Sequence, residues 1–198
     1  MMATQTNKDA PNIIGQIPAN TVGAEIGVWM GNSSEKMLAR NIKELHLVDP
    51  YSVQPYKDNS EMPFEQYIAK YQKITGEFSE SGFTNYYNQV HKTVKKKFEH
   101  DSRVTVHRMT SREFFTQNKD IELDWVYVDG DHSYEGCLFD LETVLPHIKK
   151  GGMIMGDDYG WPKARWQKKG VTKAVNEFRD RHDFKMQRFG ETQFMIRI

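Results

Sequence analysis

Four aspartates stand in two close pairs, Asp129 with Asp131 and Asp157 with Asp158. A short apolar run precedes each pair, DWVYV before the first and MIMG before the second. Carboxylates gathered in one place repel one another unless a positive charge sits among them. A hard divalent cation with oxygen ligands answers that repulsion, magnesium foremost. Taken singly, each pair reads more simply as a solvated turn, because Asp-Gly is a common turn sequence. They act together only if the two runs are neighbouring parallel strands, whose carboxyl ends open on the same edge of a sheet.

A second constellation lies upstream, where EIGVWMGNSS occupies residues 25–34. Gly27 permits a tight turn, Gly31 permits close approach of a ligand to the backbone, and Ser33 stands where a helix opens with free N–H groups. Asp49 follows Gly27 by 22 residues and ends the next apolar run, the position from which an acid accepts ribose hydroxyls. Loop and acid together point to a nucleoside. The loop reads G-x-x-x-G rather than the dinucleotide G-x-G-x-x-G, and Trp29 and Met30 would crowd a pyrophosphate. Glu25 repels phosphate but suits an ammonium group. S-adenosylmethionine therefore fits better than NAD, and an NAD oxidoreductase is the weaker enzyme reading.

The elements that must hold these residues alternate along the chain. Strands are expected at 21–27, 45–49, 103–109, 124–129 and 153–156. Helices are expected at 32–42, from Ser111 onward, at 134–149 closed by Gly151 and Gly152, and at 171–182. Strand and helix in this order give an α/β fold: a Rossmann-like, mostly parallel sheet with helices on both faces. Two final strands, 184–189 and 192–198, are too close for a crossover and must form an antiparallel hairpin. Residues 51–102 break the rhythm. They carry Phe64, Tyr67, Tyr71, Phe78, Phe83, Tyr86 and Tyr87 and the run Lys95–Lys97, which predicts a helical insert packed on the body, with a lid as the sharper alternative.

Residues 25–37 (EIGVWMGNSSEKM) resemble the first motif of the small class I O-methyltransferases, including the catechol O-methyltransferase group. Val48-Asp49-Pro50 resembles their second motif, and Thr110-Ser111-Arg112 falls where that family has an adenine-contacting serine. DGDHSYEG at 129–136, GGMIMGDDY at 151–159 and GVTKAVNEF at 170–178 resemble the macrocin and novobiocin-type sugar O-methyltransferases. The ordered likeness covers about residues 23–180, with the aromatic insert matching poorly. It implies methyl transfer from S-adenosylmethionine to a hydroxyl of a small molecule, with Asp129, Asp157 and Asp158 holding the metal. It also implies cofactor contacts from Glu25, Gly27, Trp29, Gly31, Ser33, Asp49, Ser111 and Asp129. Asp131 or His132 would take the acceptor's proton. The chain departs from the catechol enzymes in having His132 where they carry a lysine. It departs from the sugar enzymes in placing Tyr134 one residue later than their D-G-D-x-Y.

Composition narrows the remaining choices. With 198 residues, one methyltransferase domain over 1–198 is expected, preceded by a loose tail at 1–11. Lys plus Arg and Asp plus Glu each number 27, so the chain lacks the basic excess of a nucleic-acid binder, and no such partner is expected. The single cysteine, Cys137, excludes an internal disulfide and any multi-cysteine metal site. No run approaches the ~18 apolar residues of a membrane helix, so a cytoplasmic protein without membrane contact is expected. Zero net charge leaves a homo-oligomer open. Tyr159, Gly160 and Trp161 follow the second acidic pair and offer a wall for an acceptor. Trp166 with Lys163, Arg165, Lys168 and Lys169 would suit an anionic one, although those charges read more simply as a solvated loop. A metal-independent methyltransferase and a non-catalytic binding module that kept the fold are the alternatives.

Overall fold

The computed structural model describes residues 13–57, 63–160 and 169–198. Seven strands, β1 (Val22–Ile26), β2 (Glu44–Val48), β3 (Val104–His107), β4 (Leu123–Val128), β5 (Ile148–Gly156), β6 (Met186–Phe189) and β7 (Gln193–Arg197), form one sheet. Their order is β3-β2-β1-β4-β5-β7-β6. The first five pair in parallel, and β7 lies antiparallel between β5 and β6. The expected Rossmann-like sheet with its closing hairpin is therefore present. The order of strands reverses between β1 and β4, and in open α/β sheets ligands bind at the carboxyl ends beside such a reversal.

Strand alternation assigns the two layers. Leu45, Leu47, Trp125, Tyr127, Met153, Met155 and Met195 pack with Met37 and Leu38 of α1 (Asn32–Leu38), with the 3-10 turn Ile13–Gln16, and with Val90, Val94 and Phe98 of α4 (Glu80–Phe98). Ala24, Ile26, Val126, Val128, Ile154, Phe194 and Ile196 face the other layer, made by α5 (Ser111–Gln117), α6 (Tyr134–Val144) and α7 (Gly170–Arg181). Gly23 is needed in β1 because the Trp125 ring crosses it. A Cβ there would come within 2.1 Å of the indole, whose Nε1 donates to Thr21 Oγ1 at 2.9 Å.

The insert is helical, as its sequence predicts: α2 (Gln54–Lys57), α3 (Phe64–Thr75) and α4. It owns a small core of Val53, Tyr67 and Phe83, flanked by Tyr56, Phe64, Ile68, Tyr71 and Tyr87. Tyr56 stacks on Tyr67 with centroids 4.1 Å apart, and the Tyr67 and Tyr87 hydroxyls meet at 2.5 Å.

Three expected boundaries move. The helix expected over 32–42 stops at Leu38. The helix expected over 134–149 stops at Val144, where a 3-10 turn, Leu145–His147, holds Pro146, a residue that cannot donate to a continuing helix. The strand expected at 153–156 starts earlier, at Ile148, and crosses a register shift against β4. Lys149 Nζ donates to Asp124 Oδ1 at 2.9 Å and ties the two strands there. The tail expected at 1–11 lies outside the described residues.

Candidate active site

The end of β1 sits between the ends of β2 and β4. Gly27 N–H donates to Val48 O at 2.9 Å, and Asp129 N–H donates to Ile26 O at 2.8 Å. Gly27 has φ +85°, and a Cβ on it would lie 2.2 Å from the carbonyl oxygen of Asp129. This glycine lets the loop cross directly over the start of the acidic segment. Gly31 (φ +70°) caps α1, and its open side is taken by Phe98, whose ring carbon would be 2.9 Å from a Cβ. The close approach at Gly31 is thus to the insert.

Asp49 holds the loop in shape. One carboxylate oxygen accepts from Val28 N–H and Trp29 N–H, both at 3.0 Å, and the other accepts from Tyr51 N–H at 2.7 Å. The acid expected to hold a ribose therefore also organises the backbone around it. Trp29 has φ +46° and is 48% exposed, and its Nε1 donates to Tyr86 of α4 at 3.1 Å. Lys97, also on α4, donates to Met30 O at 3.0 Å and pairs with Glu35 at 3.1 Å. The insert is strapped to the glycine loop at three points, Tyr86, Lys97 and Phe98, none of which its sequence pattern singles out for that role.

Beneath the loop, Glu25 is buried at 1% exposure, and its carboxyl group meets the hydroxyl of buried Ser34. Burial pushes its pKa up to about 8, against the Ser34 hydrogen bond and with help from Asp129 and Asp49. Glu25 therefore carries a proton at neutral pH. Ser34 fixes this carboxyl, while Ser33, the residue picked out from sequence, lies half-buried beside it.

The acidic segments converge as the strand order requires. Asp129 follows β4, Asp157 and Asp158 follow β5, and the two strands are parallel neighbours. His132 stands between them, with Nε2 3.3 Å from Asp129 Oδ1 and Nδ1 2.7 Å from Asp158 Oδ2. One donor atom from each of the three residues lies within 4.8 Å of the others. Burial disfavours a charged imidazole, but hydrogen bonds and charge from both carboxylates outweigh it and raise the His132 pKa to about 10. A protonated His132 places a positive charge between Asp129 and Asp158. Asp158 adopts φ +63°, an uncommon conformation for a non-glycine residue.

Asp157 stands apart from the trio. Its Oδ1 accepts from Asp158 N–H at 2.8 Å and from Thr192 Oγ1 at 2.5 Å, so it shapes the loop that aims Asp158. Asp131 turns to the start of α6, where it accepts from Ser133 N–H at 2.9 Å. Ser111 Oγ donates inward to buried Asp140 at 2.5 Å, and α5 is capped by Thr110 and Glu113 rather than by Ser111. Tyr159 donates to Asn176 Oδ1 at 3.0 Å, and Gly160 N–H donates to Thr172 Oγ1 at 2.8 Å, which ties this loop to α7. Trp161, Lys163, Arg165, Trp166 and Lys168 lie outside the described residues.

This geometry, a nucleoside-type loop and acid beside a polar trio at the reversal of the sheet, meets its counterpart in known proteins. A family model described as a methyltransferase domain matches residues 24–159, from β1 through the second acidic pair. The chain belongs to the methyltransferase-domain family. It is an S-adenosylmethionine-dependent methyltransferase of class I fold. No curated protein matches the sequence. Among solved structures, the O-methyltransferase NovP is similar at 18% identity and TM-score 0.61, over 92% of this chain and 73% of that one. An O-methyltransferase from Bacillus cereus, solved in complex with SAH, is similar at 12% identity and TM-score 0.55, over 90% and 74%. The N-methyltransferase NodS from Bradyrhizobium japonicum WM9 is similar at 13% identity and TM-score 0.53, over 91% and 85%. Oxygen and nitrogen methylation thus share this fold, and the acceptor atom must be argued from the site. Among the described residues, no helix is long and apolar enough to cross a membrane.

Proposed function

We propose that this methyltransferase moves the methyl group of S-adenosylmethionine to a hydroxyl oxygen of a small molecule. The observation that carries the reading is the Asp129–His132–Asp158 trio, which abuts the glycine loop where Asp129 passes under Gly27. A hydroxyl is a poor nucleophile until its proton is drawn away, so an O-methyltransferase needs polar machinery of this kind beside the sulfonium. The acceptor oxygen attacks the methyl carbon as the carbon–sulfur bond breaks. The electron pair stays on sulfur, giving S-adenosylhomocysteine, and the hydroxyl proton passes to a side chain. Holding donor and acceptor in line is the larger part of the task.

In this reading Asp49 receives the ribose, and Glu25 gives up its proton as the cofactor binds and receives the ammonium group. Asp129 and Asp158 orient the acceptor, and Asp131 accepts its proton, or His132 does once it has given up its own. The insert acts as a lid anchored through Trp29 and Lys97, and the chain works as one catalytic unit. Two carboxylates and an imidazole within 4.8 Å also suit a divalent cation. Asp129 and Asp158 would hold it with His132, and Asp157 would support them. Such an ion lowers the pKa of a hydroxyl bound to it. With imidazole in the set, manganese, iron or zinc suits the donors better than the magnesium the carboxylates alone suggest. The bridging imidazolium favours one further reading, a metal-independent enzyme in which His132 supplies the charge.

Calorimetric titration of S-adenosylhomocysteine, followed by turnover on hydroxylated acceptors with and without EDTA, tests both. Micromolar binding is expected, and Asp158→Asn should lower turnover at least ~10-fold while changing the S-adenosylhomocysteine Kd less than ~3-fold. Turnover undiminished in EDTA selects the metal-independent form. Absence of binding would leave only a non-catalytic module of the same fold.

A further inference from the structure

Tyr51 follows the cofactor acid by two residues and is unusual in two independent ways. Its side chain is buried at 1% exposure, yet its hydroxyl has no hydrogen-bond partner among the described residues. A buried hydroxyl left unpaired is costly, and in native structures such a group calls for an explanation. Its backbone is also held at φ +45°, an outlier conformation for a bulky aromatic residue. The surroundings enforce that conformation. Tyr51 N–H donates to Asp49 Oδ1, Tyr51 O accepts from Arg108 at 3.0 Å, and His91 lies against the ring at 5.1 Å between centroids. Arg108 is in turn held by Asn88 of α4 at 2.6 Å.

Burial, then the Asp49 and Glu25 carboxyl groups, raise the pKa of the Tyr51 hydroxyl. Those two carboxyl groups flank the crevice at the end of β1. The same edge carries two more strained residues, Trp29 after β1 and Asp158 after β5. Strain gathered at the carboxyl ends of three strands is the pattern of a prepared ligand site.

We infer that Tyr51 is a cofactor-positioning residue whose hydroxyl hydrogen-bonds a polar atom of the nucleoside ligand bound beside Asp49. Ligand binding then satisfies a group that the free protein leaves unpaired, and the strained backbone keeps it aimed. The inference rests on the S-adenosylmethionine reading of this site and adds a residue to it.

The test is Tyr51→Phe, measured by thermal melting without ligand and by calorimetric titration of S-adenosylhomocysteine. Removing an unpaired buried hydroxyl should leave the free protein at least as stable, with an equal or higher Tm. Removing a ligand hydrogen bond should weaken S-adenosylhomocysteine binding about 3- to 10-fold. A merely structural tyrosine cannot give both results. Unchanged affinity, whatever the Tm does, overturns the inference. If the variant melts lower and binds more weakly, Tyr51→Leu decides. Affinity falling in proportion to Tm across both variants means that lost packing accounts for the effect, which also overturns it. An affinity loss equal in both variants, although Leu melts lower still, supports it. Failure of the wild-type protein to bind S-adenosylhomocysteine would overturn the functional reading itself, and Tyr51 with it.

Discussion

Burial does chemical work at several single side chains here. Glu25 and Asp140 are both carboxyl groups taken out of water, with pKa values raised from 4.5 to about 8 and from 3.8 to about 7. A group whose folded-state pKa exceeds its unfolded value contributes stability that is fully present below the unfolded value. That stability is lost as pH rises through the folded one. The window for this pair therefore runs from about pH 4 to about pH 8. Asp140→Asn removes one titration while keeping an oxygen to accept from Ser111. Denaturant melts should show the variant gaining on wild type between pH 5 and pH 9, by about 3 kcal/mol, nearly all of it below pH 8. A constant difference across that range would show that Asp140 is already ionised. Residue types at this scale were legible in the sequence, but their partners were not. Asp129 and Asp158 stood out from their strand-end positions, whereas the bridge through His132 depends on a side-chain direction that spacing does not encode. Ser111 stands out in the sequence as a ligand contact, but its bond to Asp140, which comes 29 residues later and is set there by the packing of α6 on α5, does not.

At the scale of elements, the loop after β1 is defined more by the protein around it than by open space. Gly27 is the sharpest case, since its missing side chain makes room for backbone, and backbone cannot move aside as a side chain can. Gly27→Ala should cost about 3 kcal/mol or more, combining the positive φ with the clash on Asp129. Urea unfolding measures it, and a loss below about 1 kcal/mol would mean that β1 and β4 can part at this point. The sequence announced this turn because glycine after a β-branched run is a strong signal. It misjudged the end of α6 for a complementary reason. Apolar periodicity continues past Val144, while Pro146 and the β-branched Ile148 hand the chain to β5. Short apolar runs do not distinguish helix from strand by period alone. The strap from α4 was hidden because Tyr86 and Lys97 look like an ordinary helix surface until the loop is set against them.

Across the whole molecule, the sheet and the insert differ in kind. The sheet carries two extended apolar layers, whereas α3 rests on a small aromatic cluster and leaves Ile74 and nearby Phe78 exposed, Phe78 at 73%. Regions with little buried apolar contact open first. Amide exchange should therefore release residues 64–75 well before β1 and β4, by about 100-fold or more in protection. Equal protection would show that the insert and the sheet open as one unit. The fold class was readable because strand and helix signals alternate and because the last two strands are too close for a crossover. The insert is harder to read because its aromatics divide between a local cluster around Tyr67 and Phe83 and the main core, which Tyr51 and Phe98 join. One arrangement bears on how the protein is made. β7 comes last of the seven strands, yet it lies inside the sheet between β5 and β6, and its neighbour Thr192 fixes Asp157. During synthesis from the amino end, β6 therefore emerges before β7, the strand it pairs with. The loop bearing Asp158 waits unset until the final strand arrives. A nascent chain halted at residue 190 would hold every catalytic candidate and still lack the hand that aims them.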